Sequence, residues 1–256
     1  MGVLKFFKNL FSSNTQVEEN KEGTQKEVSL EKEDLSVNRE WGREKSVDEK
    51  IKILKRLKYT QSAIDLDNNL EKEILNYLIS RESSNFNVYW NLYIPYGRDK
   101  YMQIDLMVIT GETIYVIECK EYKTCTNIEK QGEQWLCYYN SGRVYKNTNG
   151  IAQNDKHIDV LKKYLSDFSF NYESVVPIIV ADDFNSEISD NDVIIVRRSE
   201  FDILFKILDR RIESEKCLEC IDENFVSVNK SVYKCMNASE EVIQAHKENI
   251  KIKYEK

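Results

Sequence analysis

The chain has 256 residues, 41% hydrophobic and 32% charged, so it can bury the core of one large domain or of a medium domain with appendages. It contains only 8 glycines and neither a GxGxxG nor a GxxxxGK[ST] motif, which argues against the common glycine-rich nucleotide-binding loops. The formal net charge of -7 argues against non-specific nucleic-acid binding through bulk charge, although a local basic patch is compatible with it.

The first 46 residues divide into a short apolar peptide and a charged tether. Residues 1–11 combine a phenylalanine-rich face with Lys5 and Lys8, which suits either peripheral membrane contact or docking on the folded part. Residues 12–46 are rich in Glu, Lys, Ser, Asn and Thr, a composition typical of a flexible tether. No run of 18 apolar residues occurs, and the six cysteines follow no secretory signal. We therefore expect a cytoplasmic protein with reduced thiols, which the N-terminal peptide could attach to a membrane.

Hydrophobic periodicity predicts an α/β order of elements along the rest of the chain. A basic amphipathic helix and a linker are expected over 47–66, because Ile51, Leu54 and Leu57 recur every three residues. Further helices are expected at 68–79, 151–165, 199–208 and 239–252, and extended segments at 87–92, 102–109, 113–120, 134–139, 175–181 and 193–196. The early strands are close enough in sequence to be antiparallel.

One cysteine motif has the form of a partial metal site. Cys217 and Cys220 form a CxxC, followed nearby by only Cys235 and His246 as possible ligands. This spacing fits no zinc pattern, so two ordinary cysteines are the simpler interpretation.

The most informative segment is a predicted hairpin, YMQIDLMVITGETIYVIECKEY. The Gly111-Glu112 centre is typical of a two-residue loop, and this register places Asp105 opposite Glu118 and Gln103 opposite Lys120. Because side chains alternate between the two faces of a strand, one face of the hairpin is wholly apolar. The other face is apolar near the loop and becomes polar at these four residues.

Two carboxylates directly opposite each other destabilise a sheet unless a cation lies between them. Lys120 offsets part of the repulsion, and a divalent metal would offset more, since hard carboxylate oxygens suit Mg²⁺ or Mn²⁺. Asp105, Glu118 and Lys120 therefore indicate a metal-dependent hydrolytic site, in which Lys120 orients or deprotonates water or neutralises developing charge. A charged strand end with a cross-strand ion pair is the alternative.

These residues resemble the PD-(D/E)XK nuclease superfamily and, more narrowly, its nuclease-related domain (NERD) family. The resemblance spans roughly 67–181. It includes Glu71 on the first helix, Gln103-Ile104-Asp105, Ile117-Glu118-Cys119-Lys120, Trp135, and Gln153 with His157 on a later helix. The family implies a restriction-endonuclease-like α/β core with a central mixed sheet flanked by helices, and metal-dependent cleavage of phosphodiester bonds.

Carried over by the resemblance, Asp105, Glu118 and Glu71 would bind Mg²⁺ or Mn²⁺, and Lys120 would be the catalytic lysine. Gln103 and Gln153 would line the site. Leu70 stands where the family usually has glycine before the helix glutamate, so the choice of Glu71 over Glu73 rests on Ile74 and Leu78 that follow. We interpret Trp135 as a core residue, whereas His157 is either structural or at the edge of the site.

The predicted organisation is an N-terminal peptide and tether at 1–46, a helix and linker at 47–66, a NERD-like nuclease domain at 67–184 and an α/β extension at 185–256. We expect the partner to be nucleic acid, in particular DNA, and many related nucleases act as homodimers. The competing hypotheses are a nucleic-acid-binding module without turnover and a membrane-tethered interaction module on the same fold.

Overall fold

The computed structural model describes residues 45–61, 69–82, 86–111, 113–168, 175–182, 194–200, 203–204, 206, 208, 222–236 and 238–254. The predicted apolar peptide, nearly all of the tether, Glu112 and the Cys217/Cys220 pair lie outside these residues. The chain divides into two compact units, Met1–Ala63 and Ile64–Lys256.

The first unit contains one described helix, α1 (Val47–Gln61), at the position predicted from its apolar spacing. Its first turn is closed by a reciprocal capping box. The Ser46 backbone amide donates to Glu49 Oε2 at 2.9 Å, and the Glu49 amide donates to Ser46 Oγ at 3.3 Å. Two amides that lack partners within the helix are satisfied in this way, which explains why the helix begins there.

The second unit is built on a five-stranded mixed sheet with helices packed against it, consistent with a restriction-endonuclease-like α/β fold. Its strands, in spatial order, are β1 (Asn87–Gly97), β2 (Lys100–Ile109), β3 (Ile114–Lys120), β7 (Val175–Ala181) and β8 (Ile194–Arg197). The first three strands are antiparallel, whereas β7 and β8 follow β3 in parallel. The expected antiparallel pairing of the early strands is therefore confirmed.

A smaller antiparallel sheet comprises β4 (Cys125–Gln131), β5 (Gln134–Tyr139) and β6 (Val144–Thr148). Of these three strands the sequence predicted only β5. The other two are polar and mostly exposed or half-buried, so they lack the apolar alternation that marks a strand. Their hairpin loops do carry a sequence signal, because Gly132 and Gly142 have positive φ angles of 59° and 77° that favour glycine.

The described part of the second unit contains four α-helices of three turns or more: α2 (Asn69–Ser80), α3 (Gly150–Tyr164), α4 (Glu223–Lys234) and α5 (Glu240–Tyr254). The sequence predicted all of them except α4. Helices α2 and α3 both pack against β1, β2 and β3, and α3 also packs against β7. Within the region predicted as a helix at 199–208, the structure describes a 3-10 turn (Arg198–Glu200) and helical residues at 203, 204, 206 and 208.

The β2–β3 hairpin has the register predicted from the sequence, with Leu106 paired to Ile117 and Ile109 to Ile114. Both faces are apolar and buried near the loop, as expected. The Thr110 amide donates to the Thr113 carbonyl at 2.9 Å and closes the turn. Among the described helices, none has the length and apolarity needed to cross a bilayer.

Candidate active site

The two central strands separate where the hairpin becomes polar. The β2–β3 ladder ends at Leu106 and Ile117, so the predicted pairs of Asp105 with Glu118 and of Gln103 with Lys120 do not form. Beyond this point β3 remains paired to β7, with Glu118 beside Ile179 and Lys120 beside Ala181. The predicted register is correct, but it does not extend to the charged residues. The physical reason is that two like charges held directly opposite each other destabilise a sheet.

The carboxylate of Asp105 lies in the gap between the strands. Its Oδ2 accepts a hydrogen bond of 2.8 Å from the Cys119 amide on β3. On its other side, Asn91 of β1 interrupts the ladder with a φ of +49°. Gln103, predicted to face Lys120, instead donates to Asn91 Oδ1 at 3.0 Å. Asp105 thus lies between the β3 segment with which it no longer pairs and an interruption of the β1–β2 ladder at Asn91.

Glu118 and Lys120 form the charged centre of the site. The Lys120 ammonium donates to Glu118 Oε1 at 2.5 Å and to Gln153 Oε1 of α3 at 2.8 Å. The Glu118 side chain is 2% exposed and that of Lys120 is 16% exposed, so this ion pair is largely shielded from solvent. The predicted convergence of Gln153 on the site is present in the structure.

Helix α3 contributes a second residue, His157, one turn after Gln153. Its Nδ1 lies 3.2 Å from Glu118 Oε2, close enough for a protonated imidazole to pair with the carboxylate. Both atoms are buried, and neither has a hydrogen bond in the described structure. The structure therefore places His157 beside Glu118, and whether it acts in the site or only supports it stays a prediction. The i, i+4 spacing from Gln153 was the available signal.

Asn154 anchors α3 to the sheet and so helps to position Gln153 and His157 on the same helix. Its buried Nδ2 donates to the carbonyls of Val116 on β3 and Ile178 on β7, both at 3.1 Å. One side chain thus links the helix to the two strands that end at the site. The sequence interpretation missed this residue, because an asparagine between Gln153 and His157 carries no signal of its own.

The charges of the site are strongly coupled. Burial and the neighbouring Glu118 carboxylate raise the pKa of Asp105 to about 7, against the opposing effects of Lys120 and the Cys119 amide. Burial would also raise the pKa of Glu118, but Lys120 and His157 hold it below its ordinary value. Burial would lower the pKa of Lys120, yet Glu118 and Asp105 raise it, so Lys120 is an ammonium at neutral pH.

The two candidate helix glutamates differ in their surroundings. Glu71 is buried on α2 and close enough to the Cys119 thiol to help raise its pKa, after burial and Asp105. Glu73 is half exposed and pairs with Arg198 Nη2 at 2.6 Å. The choice of Glu71 over Glu73 thus matches their placement, although Glu71 as a metal ligand remains a prediction.

Trp135 and Gly150 pack beside Lys120 at the edge of the site. Trp135 is fully buried in a cluster shared by the small sheet, α3 and β7, as its interpretation as a core residue implied. Gly150 begins α3, and a Cβ atom added there would lie 2.9 Å from Trp135 Cη2 and 3.5 Å from Lys120 Cε. The absence of a side chain lets the helix begin directly beside the lysine.

A cleft of about 360 Å³ opens beside Lys120, between the end of β3, the end of β6 and the first turn of α3. It is mainly polar, and its lining residues are Cys119, Lys120, Glu121, Tyr122, Asn147, Thr148 and Gln153. Lys120 and Gln153, which are hydrogen-bonded to each other, therefore both form part of its wall.

The chemistry of these residues fits a divalent cation. Glu118 Oε2 is a buried carboxylate oxygen without a hydrogen-bond partner among the described residues, and a metal ion would satisfy it. Two carboxylates face one ammonium, so a cation would also favour the ionised form of Asp105. Within the described residues, no three Asp, Glu, His or Cys side chains are arranged as a complete metal site.

Comparison with known proteins gives one match. The family described as nuclease-related domain matches residues 66–181 of this chain, nearly the same as the roughly 67–181 that resemble the family in sequence. Comparison with curated proteins and with solved structures found no match.

Proposed function

We propose that the nuclease-related domain formed by residues 66–181 is a metal-dependent nuclease that hydrolyses phosphodiester bonds in DNA. The observation that carries the proposal is the convergence of Asp105, Glu118 and Lys120 where β2 and β3 separate, with Glu118 Oε2 buried and lacking a hydrogen-bond partner. This oxygen lies 3.2 Å from His157 Nδ1, and a divalent cation would satisfy it.

Asp105 and Glu118 are the residues that would hold Mg²⁺ or Mn²⁺, and Glu71 on α2 is the third candidate. A divalent ion at this position supplies a Lewis acid for a phosphoryl oxygen and lowers the pKa of a bound water. Asp105 keeps Oδ1 for this purpose, because Oδ2 is occupied by the Cys119 amide. His157 Nδ1 lies beside Glu118 Oε2, the carboxylate oxygen that Lys120 does not bind.

Lys120 acts as a fixed cation. An ammonium has three N–H donors, and two of them are used by Glu118 and Gln153. The third remains for a phosphate oxygen or for the attacking water. As an ammonium, Lys120 would donate hydrogen bonds and stabilise developing negative charge.

Cleavage of plasmid and oligonucleotide DNA in Mg²⁺, in Mn²⁺ and in EDTA tests the proposal. We expect metal-dependent cleavage that Lys120→Ala reduces by about 10²- to 10³-fold, the usual effect of losing one preorganised group that stabilises the transition state. Calorimetric titration should show that Lys120→Ala still binds metal, whereas Glu118→Ala and Asp105→Ala lose metal binding and cleavage together.

Lys156→Ala is the matched control, because Lys156 lies on α3 with its side chain half exposed and pairs with Glu133 outside the site. It should cleave like the wild type. If the wild type cleaves and Lys120→Ala cleaves equally well, the hairpin is not the active site. If the wild type binds DNA but cleaves none with either metal, the protein is a nucleic-acid-binding module on a nuclease fold.

A further inference from the structure

We infer that the cleft beside Lys120 is a subsite for one unpaired nucleotide, and that Tyr145 stacks against the neighbouring base. The inference rests on the proposed function, since it assigns a substrate class to the same site: single-stranded or locally unpaired nucleic acid. Three observations support it, namely the size of the cleft, an unsatisfied acceptor in its wall and an exposed aromatic ring next to it.

The volume of the cleft limits what can enter it. About 360 Å³ lies at the lower end of the roughly 300–1,000 Å³ of small-molecule sites. A cleft of this size can enclose a group about as large as one nucleotide, whereas a double helix could only lie across its opening. Because Lys120 and Gln153 are among its lining residues, a nucleotide inside the cleft would lie beside Lys120.

The wall of the cleft contains an acceptor that lacks a donor. The Glu121 side chain is 10% exposed, and its Oε1 is buried without a hydrogen-bond partner in the described structure. Its other oxygen lies 3.4 Å from Lys123 Nζ. A phosphate group would be repelled by this carboxylate, whereas a nucleobase or a sugar hydroxyl offers the N–H or O–H donor that it lacks. The cleft is therefore suited to a whole nucleotide.

Tyr145 continues the same surface away from the cleft. It lies two residues before Asn147 on β6, so both side chains project from one face of the strand. Its ring is 48% exposed, meets Tyr139 edge-on at a centroid distance of 5.4 Å, and has its hydroxyl 3.4 Å from Arg143 Nη1. A fixed, exposed aromatic ring beside a cation is what sequence-tolerant binding of single strands uses.

Binding of the full-length protein to labelled oligonucleotides in EDTA tests the inference without requiring cleavage. We expect a single strand to bind more tightly than its duplex and than the same strand with abasic nucleotides. Tyr145→Ala should weaken single-strand binding by about 5- to 100-fold, the range for losing one base-stacking contact, and leave duplex binding unchanged. Tyr145→Phe keeps the ring and should bind like the wild type.

Tyr96→Ala is the control, because Tyr96 is a comparably exposed tyrosine, at 41%, near the end of β1. It should bind single strands like the wild type, and an equal loss with Tyr145→Ala would overturn the inference. Glu121→Ala should reduce the discrimination between intact and abasic strands. An RNA strand of the same sequence distinguishes a base donor from a sugar donor. If the wild type prefers RNA and Glu121→Ala loses that preference, the donor to Glu121 is the sugar hydroxyl.

The two proposals can fail separately. If the protein cleaves DNA with metal but binds duplexes as tightly as single strands, and Tyr145→Ala changes neither, the subsite is wrong and the nuclease stands. If it binds single strands through Tyr145 but cleaves nothing, the subsite stands and the hydrolytic function is wrong.

Discussion

At the scale of single residues, Asp105 carries the main electrostatic conflict of the site. Its carboxylate is held beside Glu118 by the hydrogen bond from the Cys119 amide, and its pKa is about 7 against an ordinary value of 3.8. Such a group favours the folded state when protonated and opposes it when ionised. Without metal, the functional geometry therefore costs stability at neutral pH.

We predict that the metal-free protein loses stability as the pH rises from about 4 to about 7. Across this window the folded state binds more protons at Asp105 than the unfolded state does, so the free energy of unfolding falls with rising pH. Asp105→Asn keeps an acceptor for the Cys119 amide but cannot ionise. In EDTA it should lack this decline and be at least as stable as the wild type at pH 8.

Urea denaturation of both proteins in EDTA at several pH values measures this effect. A variant that is much less stable than the wild type at pH 8 would show that Asp105 is needed for the fold rather than for metal binding. Glu118→Gln is a useful comparison, because Lys120 and His157 hold the pKa of Glu118 low. Removing the negative charge of Glu118 should therefore lower the stability at neutral pH.

At the scale of elements, helix α3 assembles the site. Its first turn approaches Lys120, Gln153 binds the lysine, Asn154 binds two strand carbonyls, and His157 reaches Glu118. The helix begins at an N-cap, Asn149, whose side chain accepts from the Ile151 amide at 3.0 Å. Gly150 is the residue that allows the close approach of this turn.

We predict that Gly150→Ala perturbs the site. The added Cβ would lie 2.9 Å from a ring atom of buried Trp135, closer than real contacts allow, and 3.5 Å from Lys120 Cε. Overpacking of this kind costs about 1–3 kcal/mol of stability. It should also lower the cleavage rate more than it weakens DNA binding, because the displaced group is Lys120 or its support.

Gly97→Ala provides the control for this substitution. Its added Cβ would meet only the Lys100 side chain at 3.6 Å, an ordinary contact distance. It should change stability by less than about 1 kcal/mol and leave cleavage unaffected. Thermal melts and cleavage rates for both variants decide the matter, and a Gly150→Ala protein with wild-type stability and rate would show that Trp135 yields without consequence.

At the scale of the whole molecule, the chain has two compact units, and the candidate site lies entirely within Ile64–Lys256. The predicted apolar peptide at 1–11 and most of the tether lie outside the described residues. Their role is inferred from the sequence alone, because a short phenylalanine-rich face with adjacent lysines can insert into the surface of a membrane.

We predict that deletion of residues 1–44 leaves folding and cleavage intact and abolishes association with anionic liposomes. The deleted segment contains the phenylalanine-rich peptide and none of the proposed site residues. Co-sedimentation of the full-length and truncated proteins with vesicles measures the effect. Equal sedimentation of the two forms would exclude residues 1–11 as a membrane anchor, and loss of cleavage would show that the segment serves the domain itself.

The sequence by itself determined the hairpin register near the loop, the buried apolar faces and the position of Asp105, Glu118 and Lys120 at the polar end of the two strands. These features are local, because alternation along a strand and the length of a turn fix which side chains share a face. The parallel pairing of β3 with β7 was not determined in this way, since it joins strands separated by the small sheet and α3.

Only the tertiary structure decided how the polar end of the hairpin is arranged. The strands separate at Asp105, the Cys119 amide takes its carboxylate, and α3 brings His157 to Glu118. The cleft between β3, β6 and α3 also arises only in the tertiary structure. Its strand β6 is polar and lacks the apolar alternation from which a strand could be predicted. The physical reason is that charge repulsion, burial and helix packing act between residues distant in sequence, and no local pattern encodes their balance.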